Sequence, residues 1–162
     1  MECHLVVQKI RDLLESRQIK YDCFEHESVR TSEEASKIRS GYTLKQGAKA
    51  LVVKLYLRGG VEKFVMLVVP GDAKFDSKKV KKMFDAKDLR FATEKEVGDI
   101  TGGVLVGGVP PFGSLFGLQT YIDHEVEKND RIIFNAGDRR VSVALAIKDY
   151  ISTENPVPES LV

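Results

Sequence analysis

Two lysines, Lys49 and Lys54, interrupt the most apolar part of the sequence, the Val- and Leu-rich segment 48–70. Successive side chains of a β-strand point to opposite faces, so these two lysines lie on opposite faces of one predicted strand. Whichever face meets the core, one ammonium group comes close to apolar surroundings, where a charge is costly unless it is paired or functional. The segment therefore predicts either a catalytic lysine or an edge strand from which both lysines reach water.

The segment GGVLVGGVPPFG, residues 102–113, combines five glycines with two adjacent prolines. We call it the glycine loop, because proline lacks a backbone N–H and glycine weakens regular elements, which excludes a helix or a central strand. It contains neither G-x-x-x-x-G-K-[ST] nor G-x-G-x-x-G, so it is not a recognisable phosphate-binding loop. The sequence thus places a rigid segment with few side chains beside its apolar strands.

Other chemistries have weaker support in the sequence. His4, His26 and His124 lie far apart and the two cysteines lack ligand spacing, so we predict no metal site. Segment 113–117 has its serine one position too early for the G-x-S-x-G nucleophile motif. The lysine-rich segment 74–87 is suited to contact a nucleic-acid backbone, but its alternation with aspartates is more typical of a solvated helix face.

The composition is that of an ordinary globular protein. With 162 residues, 43% of them hydrophobic and 30% charged, the chain suits a single domain, residues 1–162, with one core. A formal net charge of +1 gives no overall attraction to phosphates, so such a partner would need a local patch. We recognise no disulfide framework, signal peptide or membrane-spanning run, and expect a cytoplasmic protein.

Hydrophobic periodicity and turn signals indicate irregularly interleaved helices and strands. Arg58-Gly59-Gly60 predicts a hairpin within 48–70, and the pairs Thr31/Glu34 and Thr93/Glu96 predict helix-capping boxes. The order favours a mixed α+β or α/β sheet. The other predicted elements are helices at 4–17, 77–84 and 146–152, strands at 21–25, 89–92, 120–122, 131–135 and 140–145, and a frayed tail at 153–162.

Five segments, in register, resemble the YbaK/ProX family of editing domains, which are related to the insertion domain of bacterial prolyl-tRNA synthetase. They are EHESVRTSEEAS (25–36), QGAKALVVK (46–54), TGGVLVGGVPPFG (101–113), IDHEV (122–126) and FNAGDRRVSVAL (134–145). The resemblance spans most of the chain. It implies an α+β fold in which a mixed, mostly antiparallel sheet curls into a partial barrel with surrounding helices.

The resemblance also implies a trans-acting deacylase that hydrolyses the ester between a wrong, small amino acid and the 3′-terminal adenosine of tRNA, with tRNA(Pro) as the common theme. The implied partners are the acceptor end of a mischarged aminoacyl-tRNA and, as a further option, an aminoacyl-tRNA synthetase. Neither a cofactor nor a side-chain nucleophile is implied, and we expect no membrane or DNA partner.

Several residues acquire roles from this resemblance. Lys49 matches the family's essential lysine, whose ammonium would stabilise negative charge developing on the ester. Gly107 and Gly108 would let the ester lie against backbone N–H groups, in a loop stiffened by Pro110 and Pro111. The other implied substrate-binding residues are Thr31, for which a helix cap is an equal explanation, Asn135, Gly137 and Asp138.

Two other functions stay open from the sequence. A chain of the same fold that had lost catalysis would bind tRNA or a synthetase, and a hydrolase of a small aminoacyl ester would need no tRNA. The position of Lys49 discriminates between enzyme and binding module, since the enzyme needs Lys49 to face the glycine loop across a cavity.

Overall fold

The computed structural model of the protein describes residues 2–28 and 41–162. No helix within these ranges is long and apolar enough to cross a bilayer. In chain order, the elements are α1 (Leu5–Ser16), β1 (Tyr21–Glu25), β2 (Ala48–Leu57), β3 (Glu62–Pro70), α2 (Ser77–Phe84), β4 (Ala86–Phe91), α3 (Glu94–Thr101), β5 (Thr120–Asp123), α4 (His124–Glu127), β6 (Arg131–Asn135), β7 (Val141–Ala146), α5 (Ile147–Glu154) and β8 (Val157–Glu159).

The described strands form two sheets. The larger has the order β4-β2-β3-β5-β8, antiparallel from β4 to β3 and parallel from β3 to β8. The smaller is antiparallel, with the order β1-β7-β6. A parallel bridge between Gly47 and Ile133 joins the sheets, and the barrel is not closed. The α+β prediction, with a mostly antiparallel sheet curled into a partial barrel, is confirmed.

Both faces of the larger sheet are covered, because alternate residues of its strands pack into different cores. The cross-strand partners Val52 and Met66 belong to a core shared with the smaller sheet and with Ile10 of α1. Val53 belongs to a second core, together with Val80 of α2. Lys49 is four positions before Val53 on the same strand, so its side chain points to the same face of the sheet, the face covered by α2.

Local sequence signals predict several element ends correctly. The carboxylate of Asp76 accepts hydrogen bonds from the first N–H groups of α2, and Thr93 with Glu96 forms the capping box of α3. The β2–β3 hairpin turns at residues 58–60 as predicted. The helix expected to begin at Thr31 lies outside the described residues.

The C-terminal tail differs from the frayed segment expected over 153–162. Strand β8 pairs with β5, and Leu161 is fully buried in the core beneath α2. The buried carboxylate of Asp123 accepts hydrogen bonds from the N–H groups of Leu161 and Val162, at 2.6 and 3.0 Å. A buried carboxylate is costly without such donors. The carboxylate of Asp123 and the packing of Leu161 therefore hold the tail in place together.

Candidate functional site: a cavity at the open edge of a strand

A cavity of about 690 Å³ lies along the first half of β2. Strand β4 pairs with β2 only from Val53 onwards, and the last contact is the hydrogen bond from Ala92 N–H to Val52 O, at 2.9 Å. The chain leaves the sheet there because Thr93 begins the cap of α3. Between this contact and the Gly47 bridge, β2 has no neighbouring strand on that side within residues 2–28 and 41–162.

The cavity has two walls, which come from opposite faces of β2. The first wall carries Lys49 and Leu51, the turn 71–74 after β3, and Phe91 at the end of β4. The open edge of β2, with Ala48 and Ala50, lies between the walls. The second wall comes from α3, the glycine loop and the end of β6, and consists of Val97, Val106, Gly107, Val109, Phe134 and Asn135.

Lys49 is half-buried in the first wall, and its Nζ donates a hydrogen bond to the carbonyl oxygen of Ala73 at 2.7 Å. Burial lowers the pKa of Lys49 below its usual 10.5, the charge of Lys74 lowers it further, and Asp72 opposes both effects. An ammonium with a depressed pKa in a cavity is typical of functional sites. Lys49 and the glycine loop therefore face one cavity, as the enzyme interpretation requires.

Lys54, the second lysine of β2, lies away from this cavity. Its Nζ is 3.1 Å from a carboxylate oxygen of Glu62, and it lies over the rings of Tyr56 and Phe64. Strand β2 lies between β3 and β4 where it carries Lys54, and it has an open edge only along its first half, where it carries Lys49, so it is not an edge strand along its whole length as the alternative interpretation assumed.

The part of the glycine loop that reaches the cavity is a tight turn over residues 105–108. The N–H of Gly108 donates to the carbonyl oxygen of Leu105 at 2.9 Å, and Gly107 has φ +90°. A positive φ at the third position of such a turn is the type II geometry, which glycine adopts without strain.

Three successive carbonyl groups of this turn are held by residues 135–139, a segment that begins at the last residue of β6. We call Asn135, Gly137 and Arg139 the carbonyl clamp. The three hydrogen bonds run from Arg139 Nε to Val106 O at 2.7 Å, from Asn135 Nδ2 to Gly107 O at 2.7 Å, and from Gly137 N–H to Gly108 O at 2.8 Å.

The clamp fixes the direction of one amide group. The peptide between Val106 and Gly107 is planar and trans, so its C=O and N–H point in opposite directions. Because Arg139 holds the C=O, with a second contact from its terminal nitrogen, the N–H of Gly107 points away from Arg139. In the described part of the chain, no acceptor contacts this N–H.

The structure brings only some of the predicted site residues to the cavity. Lys49, Gly107 and Asn135 line it. The helix-cap candidate Thr31 is outside the described residues. The other predicted residues do not line it: Gly108, Pro110, Pro111 and Gly137 are buried, and Asp138 contacts Arg140.

Contacts within the fold hold the glycine loop and the segment 135–139 in place. The hydroxyl of Tyr150 donates to Pro111 O at 2.6 Å, and burial raises the pKa of this tyrosine well above its usual value. The Arg140 guanidinium donates to Asp138 and lowers the pKa of that carboxyl to about 2. Both carboxylate oxygens of Asp138 are therefore hydrogen-bonded to Arg140.

Sequence reasoning missed Arg139, Phe91 and Asp72, and it considered Lys74 only as part of the lysine-rich segment 74–87, not as a neighbour of Lys49. Arg139 lies within FNAGDRRVSVAL, where two adjacent arginines after a turn were the available signal. Phe91 carries no sequence signal, because an exposed aromatic residue at a strand end looks like any other strand residue. The effects of Asp72 and Lys74 on Lys49 depend on the turn after β3.

Comparison with known proteins identifies the family of this chain. The model of the aminoacyl-tRNA editing domain family matches residues 26–153. The multifunctional Ser/Thr-tRNA deacylase ProXp-y of Escherichia coli K12 is 33% identical over 150 residues, which cover 92% of this chain and 88% of that protein. EbsC of Enterococcus faecalis, named as a candidate Cys-tRNA(Pro)/Cys-tRNA(Cys) deacylase, is 31% identical over 91 residues, covering 56% and 55%.

A solved structure shares the fold over nearly its whole length. It is described as a candidate trans-editing enzyme for prolyl-tRNA synthetase, and it matches with a TM-score of 0.80 and 24% identity over 99% of this chain and 98% of its own. The family match spans Lys49, the glycine loop and the carbonyl clamp. This protein belongs to the family of aminoacyl-tRNA editing domains.

Proposed function

We propose that the protein is a trans-acting deacylase that hydrolyses the ester of mischarged aminoacyl-tRNA at the open edge of β2. One observation carries the proposal: Lys49 and Gly107, whose amide N–H takes its direction from the carbonyl clamp, line one cavity. An ester carbonyl lying across the strand edge would meet a positive charge from one side and a backbone donor from the other. Fixed donors of this kind stabilise the oxyanion of acyl transfer.

We take water as the attacking group, because attack by a hydroxyl of the substrate would form a new ester that water must still open. The described residues that line the cavity include no Ser, Thr, Cys, Tyr or His, so they provide no side-chain hydroxyl, thiol or imidazole. With water, the oxygen adds to the acyl carbon, the bond between that carbon and the ribose oxygen breaks, and the ribose oxygen takes up a proton. The products are the free amino acid and tRNA with a free 3′-terminal hydroxyl.

Among substrate classes, a small amino acid suits the lining of this cavity best. The open edge of β2 presents Ala48 and Ala50, backed by Val97, Val109 and Phe134. The relatives are named for serine, threonine and cysteine, which are all small. A synthetase rejects a smaller amino acid weakly, by about 1–3 kcal/mol per methylene, and a second site that hydrolyses such errors adds the missing discrimination.

The test is deacylation of a panel of mischarged tRNAs that includes Ala- and Cys-tRNA(Pro) and non-cognate Ser- and Thr-tRNAs. Wild type should clear at least one, and Lys49→Ala should lower kcat by about 10²–10³-fold, as expected for loss of one charge-stabilising donor. Lys54→Ala is the matched control, since it removes a lysine of the same strand outside the cavity. If wild type binds tRNA but clears nothing, or if Lys49→Ala stays fully active while folded, the proposal is overturned.

A further inference from the structure

Phe91 is an exposed aromatic residue at the rim of the cavity. It is the last residue of β4 and is 57% exposed, although large apolar side chains are normally covered. Its ring contacts that of Phe75 edge to face, with centroids 5.3 Å apart and an interplanar angle of 82°. Phe75 packs on the core beneath α2, so it fixes the ring of Phe91 without covering it.

Phe91 and Lys49 lie on the same face of the larger sheet. Phe91 is the cross-strand partner of Val53, and partners in a sheet project to the same face. Val53 has the same parity as Lys49 and follows it by four positions, a rise of roughly 13 Å along the strand. An aminoacyl nucleoside with its ester at Lys49 is of a length to place its base near Phe91.

Positive charge adjoins this face. Lys74 is exposed and lines the same wall of the cavity, and the exposed Lys78 and Lys82 follow on α2. Two carboxylates accompany these lysines along the chain: Asp72 in the turn 71–74, and Asp76, which is occupied in capping α2. An aromatic platform beside lysines suits a single-stranded nucleotide, because a base stacks on the ring while a phosphate meets the cation.

We propose that Phe91 is the stacking platform for the 3′-terminal base of the tRNA and that Lys74 contacts the adjoining phosphate. This inference rests on the proposed deacylase function, which supplies the nucleotide. It adds a recognition element for the nucleic acid, separate from the groups that act on the ester.

The first test compares Phe91→Leu and Phe91→Trp, because leucine keeps the apolar contact with Phe75 but has no aromatic face. On the aminoacyl-tRNA that wild type clears, Phe91→Leu should raise KM about tenfold or more, while Phe91→Trp stays near wild type. Val61→Ala is the matched control, since Val61 is 54% exposed but lies in the distant β2–β3 hairpin. Lys74→Ala should reduce the salt dependence of KM. Equal KM values for Phe91→Leu and wild type overturn the proposal.

The second test separates this inference from the proposed function. Titration of adenosine 5′-monophosphate into ¹⁵N-labelled wild type should shift the amide signals of residues 74 and 91–92, and Phe91→Leu should abolish the shifts. This readout needs no hydrolysis, so it decides on the platform even if wild type clears no member of the tRNA panel. Absence of shifts at these residues, or shifts that persist in Phe91→Leu, overturns the assignment.

Discussion

Gly137 is the position of the carbonyl clamp where adding a single methyl group should destabilise the protein most. Its φ is +110°, and a Cβ built on it would lie 2.8 Å from both Cβ and Cγ1 of Val6 and 3.2 Å from the backbone nitrogen of Val7. These atoms belong to the first turn of α1, where both valines are buried. The methyl group of Gly137→Ala therefore fits only if α1 moves away from the turn.

The expected loss has two parts. A non-glycine residue at positive φ costs about 1–2 kcal/mol, and forcing an extra carbon into a packed site costs about 1–3 kcal/mol. Gly117→Ala is the matched control, since Gly117 has φ +72° but its added Cβ would have no atom within 4 Å. We expect Gly117→Ala to lose about 1–2 kcal/mol of unfolding free energy and Gly137→Ala about 2–5 kcal/mol.

Urea unfolding followed by circular dichroism measures both losses, and the difference between the variants reports the contact with α1 together with the greater backbone strain at φ +110°. Gly137→Ala should also lower the deacylation rate of the molecules that remain folded, because the N–H of Gly137 holds the carbonyl of Gly108. Equal losses of unfolding free energy in the two variants would show that α1 does not constrain the clamp, and would refute this reasoning.

Two further predictions concern the groups in the cavity. Burial and Lys74 lower the pKa of Lys49 and Asp72 opposes them, so Lys74→Ala should move the alkaline fall of kcat/KM to higher pH and Asp72→Asn to lower pH. An alkaline limb that moves in neither variant would count against Lys49 as the charged group. Arg139→Ala should lower kcat about tenfold, or about 1.4 kcal/mol, in single-turnover deacylation, because the Gly107 N–H loses its fixed direction. An effect of Arg139→Ala on KM alone would contradict this role.

The depressed pKa of Lys49 also has a consequence for stability. Between the pKa of the folded protein and 10.5, the unfolded chain binds more protons at this lysine than the folded one does. Folding therefore becomes more favourable as the pH rises through that interval, while catalysis loses the ammonium. The charged form of Lys49 therefore lowers the stability of the folded protein, whereas a lysine in a structural ion pair would raise it.

Most of the fold could be predicted from local signals. The capping box of Thr93 and Glu96 and the hairpin turn at 58–60 depend on residues a few positions apart, so the local sequence is enough to indicate them. The alternation of 48–54 predicted that Lys49 and Lys54 separate to opposite faces, which the structure confirms. The frayed-tail expectation missed Asp123, whose partners lie 38 and 39 residues away.

The site itself was less predictable, because it depends on contacts between distant segments. The sequence indicated Lys49 and a glycine loop, but the direction of the loop amide depends on Arg139, 33 residues beyond Val106. Nothing local in the sequence says that this arginine will reach a carbonyl group. The resemblance implied that both Gly107 and Gly108 contact the ester. In the structure the N–H of Gly108 is taken up by the carbonyl oxygen of Leu105 within the turn.

The arrangement explains why a backbone amide is suited to the charge-stabilising role in this cavity. A side-chain donor would have to be held in one rotamer, whereas the Gly107 N–H is fixed once the carbonyl of Val106 is held. The fixed amide then reorganises little as negative charge develops on the ester, which is the condition under which such donors accelerate acyl transfer. Substitutions in the carbonyl clamp should therefore slow the chemical step even where, as with Arg139, the side chain does not line the cavity.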